Sequence, residues 1–284
     1  MTRKPFEIVA ECLMAGLPTG AERARWLAEF ITRSWEEKVR VTRRLLETVR
    51  DIWSATLVKE PPRIDYARQI RERLPELFAL HPKLEALRGG ESRVFGIAHG
   101  SLDDLLERAA DLEASLAPPV SVRLHGDFNA NNIVYDPEQD RVHFIDVHRS
   151  GHGDYLQDIG VLLVSNVRNP IEDERVVADL AHLNELIREF ALEFARRSGD
   201  DHFETRLTLS QARSFITSGR VVADFEFARS IFRSSPSFQI KGSLWPTATR
   251  PTRAPLMPPQ IWRKSSAPSA CGATVPATCS RWRY

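Results

Sequence analysis

The chain has 284 residues, enough for one large domain or two small ones. Hydrophobic residues make up 42% and charged residues 27%, so the composition is that of a soluble globular protein with a substantial core. The formal net charge of +1 excludes a global field that attracts nucleic acid or an anionic membrane, and any phosphate chemistry therefore requires a local site.

Cysteine usage and apolar runs argue against a secreted or membrane-anchored chain. The cysteines Cys12, Cys271 and Cys279 show neither CxxC nor mixed Cys/His spacing, so we expect no disulfide framework and no structural zinc. The N-terminal stretch MTRKPFEIVAECLMAG contains Glu7 and Glu11, which favours a buried strand over a signal peptide. No apolar run approaches the ~20 residues that span a bilayer. We therefore predict a cytoplasmic protein without a membrane or nucleic-acid partner.

The first part of the chain has a helical period after one short strand. Residues 6–13, FEIVAECL, predict that strand, and apolar residues at helical spacing then predict helices over 21–31, 34–53, 63–80 and 101–116. Ser34 and Glu37 form a capping box at the start of the second helix, and Ser101 caps the fourth. Pro75 is expected to kink or split the third.

The period changes after the proline pair at residues 118–119. The alternating stretch VSVRLHG, residues 120–126, predicts a strand. Residues 132–136 and 141–147 predict two more strands, joined by the turn DPEQD into a hairpin. Helical spacing then resumes over 154–166, 172–197, 205–218 and 219–233.

The composition changes again near residue 236. From residue 241 to the end the chain has no Asp or Glu, contains seven prolines and keeps no helical or strand period. Two interpretations stay open: a disordered, Pro-rich tail over 236–284, or translation outside the original reading frame of a GC-rich gene. The predicted organisation is a remnant strand and linker (1–20), a helical body (21–235) with its core at 120–165, and this tail.

Three polar side chains flank the predicted hairpin. Asp127 lies on the loop after the first of the three strands, Asn132 follows five residues later, and Asp146 ends the third strand. A hairpin can bring an amide oxygen and a carboxylate together, and such hard oxygen ligands suit Mg²⁺. A separate carboxylate that accepts a hydroxyl proton completes the set of groups that phosphoryl transfer needs.

The segments HGDFNANN and FIDVHRSGHGDYLQDIG resemble the aminoglycoside phosphotransferase family, a broad kinase-like group. The resemblance implies an α+β, mostly helical fold similar to the C-terminal lobe of a protein kinase, with a short catalytic β-hairpin. It also implies transfer of a phosphoryl group from ATP (or GTP), with Mg²⁺, to the hydroxyl of a small molecule.

Residue roles follow from the same resemblance. It implies that Asp127 is catalytic, that Asn132 binds metal, and that Asp146 binds the second metal and the nucleotide phosphates. Asp158 is implied to brace the catalytic loop through hydrogen bonds, and we expect His125 to pack or hydrogen-bond beside that loop. The acceptor is not indicated by any motif.

The N-terminal part departs from the family pattern. Residues 8–13 resemble the hinge strand, so the backbone of Glu11, Cys12 and Leu13 is expected to face the adenine. The sequence contains neither a Gly-rich phosphate loop nor a strand lysine followed by a Glu-bearing helix. We therefore predict a C-terminal lobe that lacks most of the N-terminal lobe and is weakly active or inactive alone.

Two other functions remain open at this point. A metal-dependent hydrolase could use the set His125, Asp127, Asp146, His148 and His152, which contains ligands for zinc or manganese. A non-catalytic kinase-like module is the second alternative. Nucleotide-dependent Mg²⁺ binding would distinguish the kinase from the hydrolase, which would bind Zn²⁺ without nucleotide.

Overall fold

The computed structural model describes residues 30–90, 92–94, 97–168, 171 and 173–221. The chain divides into a unit Met1–Leu244 and a unit Trp245–Tyr284, and all described residues lie in the first. The predicted strand at 6–13 with its hinge residues Glu11, Cys12 and Leu13 lies outside the described residues. So do the helix at 219–233 beyond residue 221 and the tail at 236–284.

The described residues are mostly helical. The α-helices are α1 (Trp35–Thr56), α2 (Tyr66–Leu80), α3 (Leu102–Ala114), α4 (Tyr155–Val167), α5 (Glu174–Ser198) and α6 (Phe203–Ser218). The strands are β1 (Ser92–Val94), β2 (Ile97–His99), β3 (Val122–Leu124), β4 (Ile133–Asp136), β5 (Arg141–Phe144) and β6 (Gly151–Gly153). Short 3₁₀ turns occupy Pro82–Leu87, Ala130–Asn132, Val147–Arg149 and Gly219–Val221.

Local capping defines where the helices begin. Ser34 accepts a hydrogen bond from the backbone N–H of Glu37, whose side chain accepts one in return, so the predicted capping box is confirmed at α1. Ser101 forms the corresponding box with Asp104 at α3. Pro75 does not split α2, which runs unbroken because its buried stripe packs on both sides of the exposed proline.

Each strand pairs with one antiparallel neighbour. The pairs are β1–β2, β3–β6 and β4–β5, and the last is the hairpin that the sequence predicted. Its turn is closed locally, since the Asp136 carboxylate accepts from the backbone N–H groups of Glu138 and Gln139. Arg44 of α1 donates to the carbonyl of Asp140 over 2.8 Å, which ties the turn to the first helix.

The main core lies between α1, α4, α5 and β3. It is centred on fully buried side chains, among them Trp53, Tyr155, Ile159 and Ile187. Helix α4 is almost entirely buried, and Gly160 lets it approach Ser210 of α6 so closely that a Cβ at residue 160 would meet that serine. The helix is therefore a fixed base for whatever contacts its N-terminal end. Among the described residues no helix is both long and apolar enough to cross a bilayer.

A buried charged network fixes the N-terminus of α4. Asp154 caps the helix by accepting from the backbone N–H of Leu156, and it also accepts from the hydroxyl of Tyr66 at 3.0 Å. The fully buried guanidinium of Arg206 pairs with Asp154 and with Asp200. Because each charge has an opposite charge beside it, the desolvation cost of the group is offset.

Candidate functional site

The loop after β3 makes a turn that only glycine accommodates. Gly126 has φ +87°, a conformation that side chains rarely adopt. A Cβ at this residue would also lie within 3.0 Å of the Arg149 carbonyl oxygen and carbon. The loop that carries Asp127 therefore packs directly against the segment that follows Asp146.

Asp158 holds this loop from below. Its carboxylate accepts hydrogen bonds from the backbone N–H groups of His125 at 2.6 Å and Gly126 at 3.0 Å. Burial raises the pKa of the Asp158 carboxyl to about 6, while the two N–H donors act in the opposite direction. Since Asp158 lies in the first turn of the buried helix α4, it fixes the position of the loop relative to that helix.

The ring of His125 joins the loop to the hairpin. Its Nδ1 lies 3.2 Å from the backbone N–H of Asp127 and must accept that hydrogen, so Nε2 carries the ring proton. Nε2 then donates to the carbonyl of Ile145 at 2.9 Å. Burial lowers the pKa of His125, which keeps the ring neutral in this arrangement. His125 is thus a positioning residue and has no free nitrogen for proton transfer or metal binding.

Asp127 and Asn132 lie at opposite ends of the same short loop. The Asp127 carboxylate accepts from the side chain of Asn129 at 3.0 Å and lies 3.6 Å from the guanidinium of Arg149. Asn132 is buried, and its Nδ2 donates to the carbonyl of Asp127 at 2.9 Å. This bond uses only the Nδ2 atom of Asn132. The amide oxygen, which is the atom that a hard metal ion binds, takes no part in it.

Asp146 lies beyond the end of β5, not at its last position. The strand ends at Phe144, and Asp146 takes a left-handed conformation with φ 59° and ψ 43°. Aspartate tolerates this conformation better than most residues. One oxygen of its carboxylate lies 2.6 Å from Nδ1 of His148, and 44% of the side chain is exposed.

The hairpin register places the backbones of the two metal-ligand candidates, Asn132 and Asp146, close to each other. Asn132 lies in the 3₁₀ turn just before β4, and its carbonyl accepts from the backbone N–H of Ile145 at 3.1 Å. Asp146 is the next residue, so the amide of Asn132 and the carboxylate of Asp146 extend from paired ends of the hairpin. One amide oxygen and one partly exposed carboxylate form a donor set that fits Mg²⁺.

Comparison with known families identifies this arrangement. A family model described as the phosphotransferase enzyme family (APH) matches residues 28–197, which is more than half of the 284 residues. The chain belongs to this family. The match covers the loop, the hairpin and α4, and it confirms the resemblance drawn from the motifs. No significant match was found among curated proteins.

Phosphotransferases of this family generally use ATP and Mg²⁺.

The hydrolase alternative has no support from the geometry. His152 lies at the carbonyl of Thr56, 3.3 Å away, and both ring nitrogens of His125 are engaged. Over the part of the chain that the structure describes, no three His, Cys, Asp or Glu side chains group as a metal site.

One residue that contacts the loop was not recognised from the sequence. Ser165 of α4 accepts a hydrogen bond from the backbone N–H of Ala130 at 3.2 Å and so supports the middle of the loop. A signal existed for Ser165, because it follows the buried Asp158 by seven residues within an otherwise apolar helix.

Proposed function

We propose that the chain is a kinase-type phosphotransferase with a protein-kinase-like fold that transfers the γ-phosphoryl group of ATP (or GTP) to a hydroxyl of a small molecule. The proposal is supported by membership of the phosphotransferase family and by the position of Asp127, Asn132 and Asp146 around one loop and one hairpin. A mostly helical body with a short catalytic hairpin is the architecture that the kinase-like C-terminal lobe would have.

The observation that carries the proposal is the double role of Asn132. Its side chain holds the backbone of Asp127, while its own carbonyl pairs with the residue before Asp146. Asn132, which would hold metal, is therefore bonded both to the loop that carries Asp127 and to the segment after β5 that carries Asp146. Phosphoryl transfer depends mainly on such positioning and on charge stabilisation.

Each residue has a distinct role in the proposed step. The partly exposed carboxylate of Asp127 orients the acceptor hydroxyl and takes its proton as the oxygen bonds to the γ-phosphorus and the bond to the ADP oxygen breaks. Asn132 and Asp146 would hold Mg²⁺, which supplies charge stabilisation at the phosphate oxygens. His125 and Asp158 do not touch the reactants and keep the Asp127 backbone in place.

Metal binding in the presence of nucleotide tests this proposal directly. Because the sequence contains no recognisable phosphate loop or phosphate lysine, we expect little turnover, and binding is the more sensitive measurement. Mn²⁺ with ATP is expected to broaden the backbone amide resonances of Asn132 and Asp146 in the nuclear magnetic resonance spectrum of the full chain. Mn²⁺ without ATP should broaden them far less.

Two variants and a matched control complete the test. Asp146→Asn keeps a side chain that tolerates the left-handed backbone but removes the charge, so it should abolish the broadening. Asp127→Asn should keep the broadening and lower any ATP-dependent phosphorylation by roughly 10²–10⁴-fold. Asp111→Asn, at an exposed site on α3, should change neither. Broadening that survives Asp146→Asn unchanged contradicts the proposal. The predicted cytoplasmic location is a separate expectation, based on cysteine usage, the charged N-terminal stretch and the apolar runs of the sequence.

A further inference from the structure

Arginines concentrate around Asp127. The arginine cluster consists of Arg73 of α2, Arg149 after β5, Arg168 after α4, Arg213 of α6 and Arg220 in the following 3₁₀ turn. None of these residues belongs to the catalytic or metal-binding set described above. Contacts between α2, α4 and α6 determine where these arginines lie.

Arg149 contacts the catalytic loop, and the charge of Asp127 on that loop acts on Arg168. The guanidinium of Arg149 lies 3.6 Å from the carboxylate of Asp127. Arg168 follows Ser165 by three residues, and Ser165 is the α4 side chain that contacts the loop at Ala130. The Arg168 guanidinium donates to the hydroxyl of Ser218 at 3.3 Å, at the end of α6.

The other members lie along the contact between α2 and α6. Arg213 donates from Nε to the side-chain oxygen of Gln69 at 2.9 Å, which joins the two helices. Arg73 follows Gln69 by one helical turn, so it lies on the same face of α2. Arg220 pairs with Glu76 at 2.9 Å, one turn further along α2, and its buried Nε has no hydrogen-bond partner within the described residues.

Positive charge in this cluster exceeds the negative charge available to it. Arg149 and Arg220 have carboxylate partners, whereas Arg73, Arg168 and Arg213 have none within 4.0 Å among residues 30–221 as far as the structure describes them. The nearby acids are already engaged. The Asp158 carboxylate accepts two backbone N–H groups, and Glu72 pairs with Arg68.

The arginines also act on one another. Burial and then the charges of Arg220 and Arg149 lower the pKa of Arg73. Burial lowers the pKa of Arg213, and the charge of Arg73 adds to this effect despite the opposing charge of Asp127. Like charges held together with too few counter-charges cost free energy, which an anionic ligand would recover.

We propose that the phosphoryl acceptor is an anionic hydroxyl compound, whose carboxylate or phosphate group binds Arg73, Arg168 and Arg213 while its hydroxyl lies at Asp127. This inference rests on the proposed function, because it names the substrate class of the same site. Guanidinium groups suit carboxylate and phosphate oxygens, since they donate paired, charge-assisted hydrogen bonds. A cationic acceptor would be repelled by the same cluster.

Binding of three small hydroxyl compounds to the full chain tests the acceptor class. Glycerol 3-phosphate and glycerate carry an anionic group, and choline carries a cationic one. Titration calorimetry at low salt is expected to show binding of one or both anions and none of choline. Saturating ATP with Mg²⁺ should not displace the anion, because the cluster is proposed to lie at the acceptor and not at the nucleotide.

Substitutions at Arg73 supply the matched comparison. Arg73 makes no hydrogen bond or ion pair with the described residues and is repelled by its neighbours, so Arg73→Gln should not lower the melting temperature but should weaken anion binding by at least ~10-fold. Arg73→Lys keeps the charge and should restore most of the affinity. Arg43→Gln, at an exposed position on α1, removes the same charge elsewhere and should have no effect.

Three results would overturn the inference. These are tighter binding of choline than of both anions, equal affinities in Arg73→Gln and Arg43→Gln, and displacement of the anion by ATP with Mg²⁺. The manganese experiment fails independently of this one. If the Mn²⁺–ATP effect is absent but anion binding still depends on the arginines, only the proposed function is overturned. If the Mn²⁺–ATP effect is present but anion binding does not depend on the arginines, only the anionic acceptor is overturned.

Discussion

Replacement of Gly126 by alanine tests whether the close packing of the two site segments matters. Two costs combine at this residue. The positive φ of +87° is costly for any residue with a Cβ, by roughly 1–2 kcal/mol. The new Cβ also meets backbone atoms of Arg149, which must move, and overpacking of this kind costs roughly 1–3 kcal/mol. Gly126→Ala should therefore lower the free energy of unfolding by about 2–5 kcal/mol.

Gly199 provides a control with the same backbone strain and no crowding. It follows α5 with φ +71°, and nothing lies within 4 Å of a Cβ built on it. Gly199→Ala should therefore cost only the conformational part, roughly 1–2 kcal/mol. Urea denaturation of the two variants separates the contact from the strain, because the difference between them is the cost of moving the Arg149 backbone.

The two variants should also differ at the site itself. Displacement of Arg149 from Gly126 shifts the segment that begins with Asp146, so Gly126→Ala should weaken the Mn²⁺–ATP broadening while Gly199→Ala leaves it intact. Equal losses of stability in the two variants, with the broadening preserved in both, would refute the packing argument. It would mean that the loop and the segment after β5 relax without consequence.

Three further predictions concern buried polar groups. Between pH 7 and 4 the folded protein should gain about 2 kcal/mol of stability from Asp158, because its folded pKa of about 6 exceeds the ordinary 3.8 and the folded state binds the proton first; Asp158→Asn should lack this gain when urea unfolding is compared at both pH values. Replacement of His125 by Gln keeps a donor for Ile145 but places no acceptor at the Nδ1 position for the N–H of Asp127, and should cost about 1–3 kcal/mol in the same assay. Replacement of Arg206 by Met leaves two buried carboxylates unpaired and should cost about 3–5 kcal/mol in chemical denaturation, whereas the exposed Arg197→Met should cost under about 1 kcal/mol.

The pH prediction separates two groups that act in opposite directions. Burial lowers the pKa of His125, so the unfolded state takes up its proton first and stability from this residue is lost as the pH falls through 6.5. Asp158 contributes the reverse trend over the same range. Subtraction of the Asp158→Asn profile from that of the parent protein cancels the histidine and leaves the carboxylate alone.

Helix ends were predictable because their determinants are local. The capping boxes at Ser34 and Ser101 each involve a side chain and a backbone group three residues apart, so the sequence contains both partners. Pro75 shows the opposite case. Its local effect is to disrupt a helix, yet α2 continues because burial of residues such as Leu74 and Leu77 on either side outweighs it.

The positions of the candidate residues relative to the hairpin were also predictable, but their hydrogen bonds were not. The motif spacing pointed to Asp127, Asn132 and Asp146, and the structure places them around one loop and one hairpin. The bond from His125 Nε2 to the carbonyl of Ile145 spans twenty residues, and the left-handed backbone of Asp146 depends on where β5 ends. Such contacts join segments whose relative positions are set by tertiary packing.

The charged residues that the sequence analysis passed over share one property. Arg206, Arg213 and Arg73 lie on helices, where a charged side chain in the sequence resembles a solvated face. Whether such a face is buried depends on the neighbouring helices, which no local pattern defines. The buried arginine network and the arginine cluster could therefore not be predicted from periodicity alone.

One face of α4 explains why the loop has a defined position. Asp154, Asp158, Ser165 and Arg168 are separated by four, seven and three residues, so they fall on the same side of the helix. Asp158 accepts a hydrogen bond from the start of the loop that carries Asp127, and Ser165 accepts one from the middle of that loop. Asp154 caps the N-terminus of α4. The opposite side of α4 contributes Leu163 and other residues to the main core. Since a core helix does not shift without loss of packing, the loop that carries Asp127 takes its precision from the core, and so does the proposed acceptor site at the end of the same face.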